Sequence, residues 1–151
     1  MMNVSERARV MNRSFQPITR PVQIAGHQPR VLIVEDELLV AWHLETLARD
    51  QQLDVCGMVP DGDGAIEQAA NLDADLVLMD IRLAGRMDGV EAARRIHENR
   101  GTPVIFITAH GDPATRAYIE RLVPGSAVLA KPISADHMRD AVANALKTRA
   151  S

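Results

Sequence analysis

Five short apolar runs, spaced along the chain between residues 31 and 130, constrain the fold more than any other feature of the sequence. Each run is four or five residues long, and its apolar residues are continuous rather than alternating with polar ones. Runs of this kind are typical of strands that are covered on both faces of a parallel sheet. We therefore expect five buried parallel strands, at residues 31–34, 55–59, 76–79, 104–108 and 127–130.

Segments with apolar residues at helical spacing lie between these runs and after the last one. Asp88 is placed to cap the third helix, and Asp112, followed by Pro113 at the first helical position, is placed to cap the fourth. Strands that alternate with helices in this way predict a doubly wound α/β domain, with right-handed crossovers that cover both faces of the sheet. The predicted helices are residues 38–50, 62–72 and 89–99, and two more that open at residues 112 and 134.

The first 29 residues differ in composition from the rest of the chain. They contain three prolines and no sustained period, so we expect a flexible tail at residues 1–29 and a folded domain at residues 30–151. An arm that docks on the domain or on a partner is the alternative for this segment.

Charge and cysteine content limit the partners and the compartment. The net charge is −3, and residues 1–30 hold five arginines against one glutamate, so the acidic excess lies in the domain and argues against a nucleic-acid surface there. The single cysteine, Cys56, suits a reducing compartment, and no apolar run approaches the roughly 18 residues of a membrane span. We expect a cytoplasmic protein without a nucleic-acid or membrane partner.

Polar side chains at the strand ends point to the chemistry, because ligands of an open parallel sheet bind outside the carboxyl ends of its strands. The polar residues at the strand ends include three carboxylates. Clustered carboxylates raise each other's pKa unless a cation joins them, and oxygen ligands alone select a hard ion such as Mg²⁺. A carboxylate beside a metal ion and a lysine is suited to accept a phosphoryl group as a covalent nucleophile. The strand-end residues are Glu35 and Asp36 after the first strand, Asp80 at the third, Thr108 at the fourth and Lys131 at the fifth.

This set of residues, in its order and spacing, resembles the receiver domain of two-component response regulators over residues 29–150. The similarity is carried by the stretches VLIVEDE, LVLMDIRLAGRMDGVEAARRI, PVIFITAH and AVLAKPI. It implies a flavodoxin-like (βα)5 fold with strand order 2-1-3-4-5. It also implies a phosphoryl donor, which is either a sensor histidine kinase or a histidine phosphotransfer protein.

The resemblance further implies a role for each matching residue. Asp80 would accept the phosphoryl group, and the cofactor would be Mg²⁺. The ligands of the Mg²⁺ would be Glu35, Asp36, Asp80 and the backbone carbonyl of Arg82. The phosphate would be held by Thr108, by Lys131 and by the backbone N–H of Ala109.

One position departs from the pattern of the family. Three residues before the lysine, most receivers have a Tyr or Phe, whose rotation accompanies the movement of the threonine hydroxyl toward the phosphate. Here that residue is Val128. The switch expected at Thr108 and Val128 must therefore differ in detail from that of most receivers.

We expect a stand-alone signalling switch or phosphorelay component rather than an enzyme. Too little chain follows the fifth helix for an output domain, so we expect a separate downstream protein partner, which the sequence does not identify. The domain would be a monomer or a homodimer. A fragment of a larger regulator is an alternative. So is a receiver-like interaction module that does not depend on phosphorylation. An aspartate-nucleophile phosphatase of the haloacid dehalogenase type would need a second acid two residues after the nucleophile, where Arg82 stands.

Overall fold

In the computed structural model, which describes residues 26–150, five strands alternate with five helices as the sequence predicts. The predicted tail at residues 1–29 falls mostly on residues 1–25, which lie outside the described residues. The strands are β1 (Arg30–Val34), β2 (Asp54–Val59), β3 (Leu76–Asp80), β4 (Val104–Thr108) and β5 (Ala127–Ala130). The helices are α1 (Leu38–Asp50), α2 (Gly62–Asn71), α3 (Gly89–Arg100), α4 (Pro113–Leu122) and α5 (Ala135–Ala150).

The five strands form one parallel sheet in the order β2-β1-β3-β4-β5, which confirms the predicted fold and strand order. Val34 at the end of β1 pairs with Met79, so the residues that follow β1 lie beside Asp80 at the end of β3. Asp80 in turn pairs with Ile107, and Thr108 pairs with Ala130. The sheet thus carries the predicted strand-end residues to a single edge.

Two apolar clusters fill the space on the two faces of the sheet, because alternate strand residues point to opposite faces. One cluster lies under α1 and α5, and the other lies under α2, α3 and α4. Every residue of β3 and β4 is buried, whereas β2 and β5 are mostly half-buried. This differs from the expected burial of all five strands, and the reason is that β2 and β5 are the edge strands of the sheet.

Side-chain caps start the helices at the edge where the strands end. Asp88 accepts a hydrogen bond from the Glu91 amide at 2.8 Å, and Asp112 accepts one from the Thr115 amide at 2.7 Å, which confirms both predicted caps. Ser134 Oγ, just before α5, accepts from the His137 amide at 3.0 Å. None of the described helices combines the length and the apolar character that a membrane crossing requires.

Candidate functional site

Three carboxylates meet where β1 and β3 end. Glu35 and Asp36 follow β1 and Asp80 closes β3, and one carboxylate oxygen from each lies within 4.8 Å of the others. Glu35 and Asp80 are buried, with 5% and 7% of their surface exposed, whereas Asp36 is exposed. Two of the three carboxylates are therefore shielded from water, and the third opens the cluster to solvent.

Lys131, directly after β5, is the cation that contacts this cluster. Its Nζ lies 3.2 Å from Glu35 Oε2 and 3.3 Å from Asp80 Oδ2. The backbone N–H of Lys131 donates to the Thr108 carbonyl at 2.9 Å, which extends the pairing of β4 and β5 to this residue. A cis peptide bond joins Lys131 to Pro132. One ammonium group thus contacts two of the three carboxylates.

The pKa of Glu35 is raised to about 7. Burial is the largest cause, the hydrogen bond and charge of Asp80 add to it, and Lys131 opposes it. Burial lowers the pKa of Lys131, but the carboxylates of Asp80 and Glu35 outweigh it, so that pKa is raised. The cluster is short of positive charge, and its donor atoms are all oxygens. These properties fit a divalent hard cation such as Mg²⁺.

Glu35→Gln is expected to change the pH dependence of stability in the metal-free protein. Between about pH 4.5 and 7 the unfolded Glu35 is ionised while the folded one holds its proton, so a rise in pH disfavours the folded state. Gln cannot titrate, so the variant should gain about 1–3 kcal/mol on the wild type across this range. Urea unfolding in EDTA at pH 5, 6, 7 and 8 measures the difference. A difference that stays constant with pH would contradict the raised pKa.

Thr108 ends β4 with its hydroxyl engaged locally. Its Oγ1 accepts from the His110 amide at 3.0 Å and donates to the His110 carbonyl at 3.2 Å, and the residue is 7% exposed. The next residue, Ala109, is exposed. To donate to a group bound on Asp80, the Thr108 hydroxyl must give up the His110 carbonyl, because a hydroxyl has one proton to donate.

Arg82 and Val128 take positions that are less central to the cluster. The backbone N–H of Arg82 donates to Asp80 Oδ1 at 3.3 Å, so this residue orients the carboxylate. The role of its carbonyl as a metal ligand stays a prediction. Val128 lies half-buried in β5 and pairs with the fully buried Phe106 of β4. The aromatic ring at this place in the sheet therefore belongs to β4 and is enclosed.

Two contacts next to the cluster were not expected from the sequence. Gly89, the first residue of α3, packs so closely on the backbone carbonyl of Asp80 that a Cβ there would overlap the oxygen. Tyr118 Oη, on α4, donates to Asp88 Oδ2 at 3.0 Å. The sequence Asp88-Gly89 indicates the first of these contacts in part, since a small residue after a capping aspartate suits a tight turn into a helix.

Comparison with known proteins decides the family. The profile of the response regulator receiver domain matches residues 31–143. The chain belongs to the response regulator receiver domain family. This confirms the resemblance predicted from the strand-end residues.

Solved structures and curated relatives agree with this assignment. The signal receiver domain of a modulated diguanylate cyclase from Desulfovibrio desulfuricans superposes with a TM-score of 0.75 at 37% identity, covering 81% of this chain and 96% of that one. The transcriptional regulatory protein PdtaR of Mycobacterium tuberculosis is 35% identical over 115 residues, which are 75% of this chain and 54% of PdtaR. A protein-glutamate methylesterase/protein-glutamine glutaminase of Geobacter metallireducens is 38% identical over 104 residues, 68% of this chain and 30% of that protein. The receiver domain described here thus spans about half or less of the length of these two curated relatives.

Proposed function

We propose that this receiver domain accepts a phosphoryl group on Asp80 from a phosphohistidine of a sensor histidine kinase or a histidine phosphotransfer protein. The observation that carries the proposal is the position of the Asp80 carboxylate, at the end of a fully buried strand, between the Lys131 ammonium and the acidic pair Glu35 and Asp36. A rigid strand thereby presents one carboxylate to an open edge, beside groups that can bind phosphate and metal. Preorganised charges of this kind favour phosphoryl transfer.

The transfer needs a carboxylate oxygen, a bound phosphoryl group and a leaving group. An oxygen of Asp80 attacks the phosphorus, the phosphorus–nitrogen bond of the donor breaks, and the imidazole leaves with that electron pair, so an acyl phosphate forms on Asp80. The Arg82 amide and Lys131 hold the two Asp80 oxygens and so fix the plane of the carboxylate. Lys131 is also placed to pair with the phosphoryl oxygens, and Thr108 and the Ala109 amide are proposed to hydrogen-bond them.

Mg²⁺ is the cofactor that the acidic cluster fits, as judged from its three carboxylate oxygen donors. Glu35, Asp36, Asp80 and the Arg82 carbonyl are proposed to hold it. When bound, the ion would neutralise negative charge on the phosphoryl oxygens.

Incubation with acetyl phosphate and Mg²⁺ tests the proposal directly. We expect the intact mass to increase by one phosphoryl group, and we expect chelation of Mg²⁺ with EDTA to suppress the increase. A phosphorylated histidine kinase serves as the second donor, because acetyl phosphate lacks the contacts of a protein donor. No adduct from either donor would contradict the proposed function.

The proposed consequence of phosphorylation is a change in the affinity for a separate downstream protein, or onward transfer in a phosphorelay. In this role the domain catalyses only its own phosphorylation and dephosphorylation. Val128 favours a second candidate, an interaction module that binds its partner independently of phosphorylation. Partner affinity that is equal for the phosphorylated and unphosphorylated protein would support that second candidate.

A further inference from the structure

A hydrogen bond between α4 and the start of α3 joins two elements that flank the phosphorylation site. Tyr118 Oη donates to Asp88 Oδ2 at 3.0 Å, while Asp88 Oδ1 accepts from the Glu91 amide at 2.8 Å. One carboxylate therefore caps α3 and holds α4 at the same time. The guanidinium of Arg121 covers the Tyr118 ring, 5.6 Å from its centroid. Burial and the bond to Asp88 raise the pKa of Tyr118, so the phenol keeps at neutral pH the proton that it donates.

Helix α4 is held by fewer fully buried side chains than α3. Ile119 is the one fully buried side chain among its residues, 113–122, with Tyr118 and Leu122 half-buried beside it, whereas α3 buries four side chains. An element with so few buried apolar groups lies at the low end of local stability. The Tyr118–Asp88 hydrogen bond therefore adds to a small set of packing contacts, made by Ile119, Tyr118 and Leu122, that fix the position of α4.

The start of α3 and the loop before α4 both contact residues of the proposed phosphorylation site. On one side, Gly89 follows Asp88 directly, contacts the Asp80 carbonyl and donates its amide to the Ile81 carbonyl at 2.9 Å. On the other side, the loop that leads into α4 is tied to Thr108 through the two hydrogen bonds with His110. A change at Asp80 or Thr108 therefore acts on α4 from two directions.

We infer that the Tyr118–Asp88 hydrogen bond is a latch that holds α4 in its unphosphorylated position and opens when Asp80 is phosphorylated. The inference rests on the proposed function. When Thr108 turns its hydroxyl toward the phosphoryl group, it releases the His110 carbonyl, and the loop and α4 become free to move away from Asp88. Tyr118 then reports the phosphorylated state in place of an aromatic residue at Val128, and Phe106 is too enclosed to do so.

The latch has a thermodynamic consequence that a purely structural contact lacks. A bond made only in the unphosphorylated state opposes the phosphorylated one, so removing the bond shifts the population toward the phosphorylated arrangement. By reciprocity, the variant must bind a phosphoryl mimic more tightly than the wild type. A contact that merely supports the fold would leave that affinity unchanged or weaken it.

Beryllofluoride, which binds a carboxylate oxygen in the place of a phosphoryl group, is the probe. With Mg²⁺ present, we expect Tyr118→Phe to lower the Kd for beryllofluoride by about 2- to 10-fold, the amount that corresponds to one hydrogen bond. Asp88→Ser keeps a helix cap but is too short to reach Tyr118, so it should act in the same direction. Isothermal titration calorimetry of the full chain measures the Kd for beryllofluoride of the wild type and of both variants.

A second measurement follows the latch itself. The chain has a single tyrosine, so protein labelled with 3-fluorotyrosine gives one ¹⁹F resonance, which we expect to shift when beryllofluoride binds the wild type. Equal or weaker beryllofluoride binding by Tyr118→Phe, or an unmoved resonance, would overturn the latch while the proposed function stands. A wild-type protein that neither binds beryllofluoride nor takes up a phosphoryl group would overturn the proposed function and the latch with it.

Discussion

Asp80→Asn is expected to abolish phosphoryl uptake while the fold keeps the stability of the wild type to within about 1 kcal/mol. The amide lacks the anionic oxygen that attacks phosphorus, so the loss of uptake should be complete. The stability should change little, because two effects oppose each other. The substitution removes one negative charge from the cluster with Glu35, but it also weakens the contact with Lys131. Intact mass after incubation with acetyl phosphate and Mg²⁺ gives the uptake, and urea unfolding gives the stability.

Asp112→Asn is the matched control for this variant. Asp112 lies in the loop after β4, at the same edge of the sheet, and its side chain caps α4. Asn is as good a cap as Asp, so the control makes the same chemical change without loss of the helix start. It should be phosphorylated like the wild type. A phosphoryl adduct on Asp80→Asn would contradict the assignment of Asp80 as the acceptor. Loss of the adduct in Asp112→Asn would show that the loss in Asp80→Asn is not specific to Asp80.

Local sequence patterns predicted the fold because its strands and helices can each be located from apolar runs, helical periods and capping residues. Continuous apolar runs of four or five residues, separated by segments of helical period, are typical of strands covered by helices, and β3 and β4 are buried throughout as predicted. The runs do not say which strands lie at the edges, because that depends on strand order, and so the partial exposure of β2 and β5 was not foreseen. The predicted first strand also began one residue late, since Arg30 is polar. Its place in β1 is fixed by distant partners, through its amide on Asp75 and its guanidinium on Leu72 and Asp54.

The candidate site was predictable to the extent that it follows from the ends of strands. Parallel strands place their carboxyl ends together, so Asp36, Asp80 and Lys131 could be brought to one edge before any distance was known. Their chemical roles remain predictions until phosphoryl uptake and metal binding are measured. The contact between Tyr118 and Asp88 could not be derived in this way, because it depends on how α4 packs against α3. Sequence periodicity identified Asp88 as a helix cap, which accounts for only one of its two oxygens.

Gly89→Ala is expected to lower the free energy of unfolding by about 2–4 kcal/mol and to reduce phosphoryl uptake. A Cβ at this position would overlap the backbone oxygen of Asp80, and neither that oxygen nor the buried strand behind it can move aside cheaply. Either α3 shifts outward, which moves the Asp88 cap, or the end of β3 shifts, which moves Asp80, the proposed phosphoryl acceptor. Urea unfolding and intact mass after acetyl phosphate treatment measure the two effects.

Gly111→Ala separates this steric effect from the general effect of replacing glycine. Gly111 lies in the loop before α4, and a Cβ there would meet only the end of the exposed Arg116 side chain, which can shift at the cost of at most its hydrogen bond to the Gly111 carbonyl. Its stability should stay within about 1 kcal/mol of the wild type, since alanine also restricts the unfolded chain. If Gly89→Ala were as stable and as readily phosphorylated as Gly111→Ala, the tight packing of α3 on the Asp80 carbonyl would not be needed to position the acceptor. If only Gly89→Ala is impaired, the glycine after Asp88 is required because helix α3 begins directly against the backbone carbonyl of Asp80, the proposed phosphoryl acceptor.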